Sequence, residues 1–185
     1  MELSELQAAL AAPFPRSEVL GRIGTKTKDG KKAQVLAYVD ARTVMKRLDD
    51  VLGIGGWMDE IRPIADGKGF ICRLGLRMPD GTWVYREDVA DLSQVEALKG
   101  GASDAFKRAA VKFGVGRYLY DLDSPWVDLD ARGFLPKNFV FPLPDWALLE
   151  QDRLALSQPT KSADPDEVPW GNNVHPLPST GSDLL

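Results

Sequence analysis

Three Asp-Gly pairs, Asp29-Gly30, Asp66-Gly67 and Asp80-Gly81, limit what this chain can fold into more than any other feature. Asp-Gly suits the tight turn of a β-hairpin, because both central residues of that turn need backbone angles that Asp tolerates and Gly adopts freely. Around the first pair, Val19 to Lys28 and Lys31 to Val39 read as a hairpin. Around the other two, Trp57 to Ile64, Phe70 to Arg77 and Thr82 to Val89 read as three consecutive strands in an antiparallel meander. In the middle run Phe70, Cys72, Leu74 and Leu76 alternate with Ile71, Arg73, Gly75 and Arg77. One face is therefore apolar and must be covered, while the other is solvated and partly basic.

The cover is a helix expected from about Leu92 to Phe113. At 100° per residue, Val95, Leu98, Ala102, Phe106, Ala109, Ala110 and Phe113 occupy about one third of the circumference, and Asp104, Lys107, Arg108 and Lys112 lie opposite. Gly100 and Gly101 interrupt it at a cost of about 1 kcal/mol each relative to alanine, which implies either a late helix start or a close backbone approach. Two shorter helices precede it. Ser4 is the expected N-cap of one ending near Ala11, ahead of Pro13 and Pro15; Asp40 is the expected N-cap of Ala41 to Leu52, which Gly53 ends. The fold class is thus α+β: an antiparallel β-meander packed on a long amphipathic helix, a β-β-β-α core with an additional N-terminal β-hairpin. Trp57, Phe106 and Phe113 are assigned to the core.

Cys72 and His175 are the single cysteine and histidine, so one chain cannot assemble a disulfide, a zinc ribbon, a Cys/His nucleophile pair or a Ser-His-Asp triad. Carboxylates at Glu87, Asp88, Asp91 and Glu96 are the candidates for a Mg²⁺ site of nuclease type, which needs acids that converge. A strand end followed by a helix start collects acids for capping reasons as well. The Gly-Ile-Gly-Gly stretch at 53–56 lacks the Lys-Ser/Thr of a phosphate loop and reads as a helix end. No catalytic residue, metal or cofactor is assigned. No apolar run approaches the roughly 18 residues of a membrane span, and the first thirty residues lack signal-peptide order, so a cytoplasmic protein without a membrane partner is expected.

The net charge of −4 is unevenly spread: residues 1–122 hold 19 Lys/Arg against 17 Asp/Glu, residues 123–185 hold 4 against 10. Nine of the 13 prolines also follow residue 123, which disfavours long helices there. A folded domain over 1–150 and an acidic, Pro-rich, disordered tail over 151–185 are expected. The low overall pI then says little about polyanions, since the acid sits in the tail. In the body, Arg22, Lys26, Lys28, Lys31 and Lys32 gather at the first hairpin, and Lys99, Lys107, Arg108 and Lys112 on the helix. Any one lysine on a turn is ordinarily just solvated. Two clusters on neighbouring elements make a track of the kind a phosphate chain follows. Tyr38, Trp83, Tyr85, Tyr118 and Tyr120 lie near them and offer faces on which bases stack, although core or oligomer contacts would occupy most.

The run from Leu98 to Gly114, LKGGASDAFKRAAVKFG, with Tyr38-Val39-Asp40-Ala41-Arg42, Gly56-Trp57 and Arg86-Glu87-Asp88-Val89, resembles the Rad52/Rad22 family of DNA-repair annealing proteins. Ala12-Pro13-Phe14-Pro15 and the run Gly116 to Leu122 are most similar to its bacterial DNA-damage-response branch. The resemblance covers residues 12–122 in order. It implies a non-enzymatic, nucleoid-associated protein that assembles into rings or spirals and holds single-stranded DNA in a basic groove between hairpin and helix. That protein anneals complementary strands or protects 3′ ends. Lys107 and Arg108 match the basic pair at the groove floor, Lys99 a further groove position, and Lys28 the basic residue of the hairpin. Val111 departs from the eukaryotic pattern, with Lys112 beside it as an imperfect substitute, and Lys26 and Lys32 complete the expected DNA-binding set. Asp164 to Trp170 is similar to the acidic tip of bacterial single-strand-binding proteins, which brings such a protein in as a candidate partner. The rival readings are a double-stranded RNA-binding module, which shares a β-β-β-α body with a basic final helix, and the metal-dependent nuclease.

Overall fold

The computed structural model of the chain describes residues 1–65, 67–92 and 97–157, and of 97–99 the backbone only. The elements run α1 (Leu3–Ala11), β1 (Leu20–Lys26), β2 (Lys32–Tyr38), α2 (Ala41–Leu52), β3 (Trp57–Pro63), β4 (Gly69–Arg77), β5 (Trp83–Asp91), α3 (Ala97–Val111), β6 (Trp126–Asp128) and α4 (Glu150–Ser157), with three short 3-10 turns between them. The strands form two antiparallel three-stranded sheets, β1-β2-β6 and β3-β4-β5.

The meander forms as its turn chemistry requires. Gly67 and Gly81 have φ of 70° and 86°, and β4 pairs residue for residue with both neighbours, Leu74 standing opposite Asp59 and Arg86. Asp66, the first residue of the middle Asp-Gly pair, lies outside the described residues. Cys72, Leu74 and Leu76 are fully buried beneath Ala105, Phe106, Ala109 and Ala110 of α3. The small residues bring helix and sheet close together. A Cβ on Gly101 would come within 3.0 Å of the Phe70 ring and 3.1 Å of the Asp91 carbonyl oxygen. The close approach at Gly101 is the explanation that holds, since α3 (Ala97–Val111) still contains both glycines; Leu92, the expected start, lies outside the helix, with its N–H donating to the Lys68 carbonyl at 2.8 Å. Val95 lies outside the described residues.

Helix α2 packs Val44 and Leu48 into the same core. Asp40 caps it by accepting the Thr43 N–H at 2.8 Å, and Gly53 ends it at φ 73°. Helix α1 begins one residue before the expected cap. Glu5 Oε2 accepts the Glu2 N–H at 2.8 Å, a reciprocal box in which Ser4 has no part. The carbonyls at the end of α1 are taken by Arg47, which donates to Ala9, Leu10, Ala12 and Pro13 and lies 4.4 Å from the Phe14 ring centre. Trp57, expected in the core, is only half buried. Its ring tilts on Phe106 at 5.9 Å while Nε1 donates to Asp49 at the surface.

The additional N-terminal hairpin expected from the sequence forms and gains a third strand. Strand β6 adds to β2, with Gln34 opposite Trp126 and Ala33 opposite Val127. One face of this second sheet carries the buried Ala33 and Val35 and the partly buried Val127, and Phe139 lies against it at Gly21. A Cβ on Gly21 would come within 2.5 Å of Phe139, so β1 needs a glycine there. Helix α4 carries the described chain past residue 150, and its Asp152 accepts the Arg16 N–H at 3.0 Å.

Candidate nucleic-acid interface

The uncovered face of the hairpin sheet follows from strand alternation. Ala33, Val35 and Ala37 face the core, so Lys32, Gln34, Leu36 and Tyr38 face outward. Residues directly opposite in an antiparallel pair share a face, which adds Leu20 and Arg22 of β1 and Trp126 and Asp128 of β6. Helix α3 meets this face at one end: Lys107 Nζ lies 5.6 Å from the centre of the Tyr38 ring and 2.9 Å from Asp104 Oδ1. A cation at that distance from an aromatic ring is attracted to its face. Helix cation and hairpin therefore form one continuous surface, with Arg22 exposed beside Leu36 and Lys32 paired to Asp128 at 3.2 Å.

Arg108 and Lys112 point elsewhere. Arg108 in the last turn of α3 and Lys112 just past its end converge on Asp88 of β5, at 3.3 Å to Oδ1 and 3.3 Å to Oδ2, and Lys112 also donates to the Glu87 carbonyl. The Asp88 side chain is 15% exposed. Burial pushes its carboxyl up, but the Val89 N–H, Lys112 and Arg108 outweigh that and hold it below the ordinary aspartate value. Glu87 is the next residue along the strand and faces the other side, where Arg62 and Arg73 hold it at 3.2 and 3.8 Å. These two acids of the suggested metal site are thus bound to cations on opposite faces, and Glu96 lies outside the described residues. Among the described residues, no three His, Cys, Asp or Glu side chains are grouped to hold a metal ion. Burial and the nearby Asp59 push the Cys72 thiol up to about 12, so it is inert as a nucleophile at neutral pH.

The expected DNA-binding residues thus divide. Lys107 and Lys32 border the open hairpin face, while Arg108 and Lys112 form a second cationic pair on the β5 side of the same helix. Lys28 is exposed at the hairpin tip with no partner among the described residues. Lys26 faces away from Lys32: it stands opposite the buried Ala33 after a bulge in β1, and its Nζ donates to the Gly133 carbonyl at 2.9 Å. The Lys99 side chain lies outside the described residues. Tyr118 is a structural tie, its hydroxyl accepting the Phe14 N–H at 3.0 Å, and Trp83 stacks on Tyr85 on the outer face of the meander. Arg22 and Trp126 complete the open face. The first was visible in the sequence as one of the hairpin cations; the second follows only from β6, whose three residues are too few to show a strand period.

Residues 2–133 match the Rad52/22 family of double-strand break repair proteins. The single-stranded DNA-binding protein DdrA of Deinococcus deserti is 40% identical over 83% of this chain and 75% of its own length. The protein of the same name from Deinococcus radiodurans is 38% identical over 83% and 72%. The matched span takes in both sheets, α3 and every cation described above, and the chain belongs to the Rad52/22 family of double-strand break repair proteins.

Proposed function

We propose that this protein binds single-stranded DNA in DNA repair and recombination, without catalysing bond chemistry. The observation that carries this reading is the meeting of Lys107 with Tyr38, which joins the basic helix to the open hairpin face. Phosphates are held by Lys107, Arg108, Lys112 and Lys32, with Lys28 at the tip and Lys99 at the start of the helix. Contacts to phosphate fix the path of a strand without reading its sequence. Base edges left outward would let two coated strands test each other for pairing, with the protein cancelling their charge repulsion; the same hold would shield a 3′ end. Copies joined in a ring or spiral extend the groove from one subunit to the next. The name carried by the Deinococcus relatives supports the choice of ligand. The nuclease and the RNA-binding module have no comparable support.

The test is the double variant Lys107→Ala with Arg108→Ala, measured against oligo-dT and mixed sequences over a salt series. Affinity falls by a similar factor on every sequence, and the dependence on log salt flattens by about one unit for each phosphate that the variant no longer neutralises. Binding equal to that of the wild type would sink the groove assignment.

A further inference from the structure

We propose that Trp126 is a base-stacking platform, which extends the single-strand site along the hairpin sheet to its β6 edge. This deepens the single-strand reading and rests on it. Among the described residues, three of the four tryptophan side chains are committed: Trp57 to Phe106 and Asp49, Trp83 to Tyr85, and Trp146 edge-on to Tyr118 at 6.3 Å. Among the described residues the Trp126 side chain has neither a ring contact nor a hydrogen-bond partner, and the residue is 54% exposed. A large aromatic ring left open on an edge strand costs solvation and gives a neighbouring copy something to adhere to. Its surroundings favour a polyanion with flat apolar faces over a protein surface. Arg22, Lys32 and Lys107 share its side of the sheet, and Gln34 stands directly opposite. Tyr38 and Trp126 occupy the same face four residues of β2 apart, about 14 Å at the usual strand rise. A strand whose phosphates follow these cations passes its bases over both rings. Stacking of this kind tolerates any sequence, because every base has a π face.

The full-length protein and its Trp126→Leu and Trp126→Phe variants would be titrated with oligo-dT and with an abasic strand of equal length, over a salt series, with light scattering of each. The Leu variant should bind oligo-dT about tenfold more weakly with an unchanged salt slope, bind the abasic strand as the wild type does, and keep its oligomeric mass. The Phe variant should recover most of the loss. Undiminished oligo-dT binding by the Leu variant overturns the proposal while leaving the phosphate groove intact. An equal loss on the abasic strand overturns it in favour of a supporting role for the ring, and a fall in mass in favour of a contact between copies. A wild type that ignores oligo-dT at low salt removes the groove reading itself, and this proposal with it.

Discussion

Two of the candidate phosphate cations converge on Asp88, and its ionisation gives a measurable handle on them. Its folded-state pKa is depressed, so the stability it supplies is present above the ordinary aspartate value of 3.8 and is lost as pH falls through the lower folded value. Arg108 and Lys112 are about half exposed, which limits the pairing to about 1 kcal/mol. Asp88→Asn should therefore lower the unfolding free energy by about that amount at pH 7, with the gap to the wild type closing below about pH 3.8. Urea melts at the two pH values check it, and a gap that persists in acid would mean that the carboxylate charge is not what matters. The same variant should bind oligo-dT more tightly at low salt, because it removes the anion competing with phosphate for both cations. The amphipathic pattern of the helix already marked Arg108 and Lys112 as cations on its wet face. It could not reveal their shared counter-ion, since Asp88 lies twenty residues away on a strand whose register only the folded sheet fixes. For the same reason, alternation along a single strand could not warn that the bulge in β1 turns Lys26 away from Lys32.

Helix α3 and the meander were legible because each presents a long, regular apolar period, and β1 and β2 because an Asp-Gly turn joins them. What escaped were joints that depend on one side chain or one missing atom. Gly56 is such a joint. It lies between α2 and β3, its N–H donates to Gly53 and its carbonyl accepts the Arg77 N–H at 2.9 Å, which ties the start of β3 to the end of β4. A Cβ there would stand 2.3 Å from the Leu52 carbonyl oxygen. Read as part of a helix-ending cluster, the glycines at 53–56 look interchangeable, yet Gly53 has φ 73° and open space whereas Gly56 is constrained by its close approach to Leu52. Gly56→Ala should cost about 2 kcal/mol, within the usual range for forcing extra atoms into a packed site, and Gly55→Ala, with nothing nearby, almost none. Thermal melts of the two single variants compare them directly. Equal changes in the two variants would show that the clash with Leu52 does not set the cost, since the lost freedom of the unfolded chain favours the alanine at both sites.

Charge across the whole chain decides how strongly the cations described above are felt. Residues 158–185 carry Asp164, Asp166, Glu167 and Asp183 against Lys161, a net −3 out of the total of −4. The remaining 157 residues are close to neutral, so their interface works by local concentration of positive charge and not by an overall basic field. An acidic segment covalently tied to such a body is present at an effective concentration far above that of a free peptide and competes with phosphate for the same side chains. In an assembly it can do so on a neighbouring copy as well as on its own. A chain ending at Ser157 should therefore bind oligo-dT several-fold more tightly than the full chain at low salt. The advantage should fade as ionic strength rises and the Debye length falls below about 8 Å. Light scattering on both chains, run beside the titrations, separates competition from assembly. Tighter binding at unchanged mass is the mark of a tail that occupies the groove, and equal affinities at low salt would mean that residues 158–185 act elsewhere.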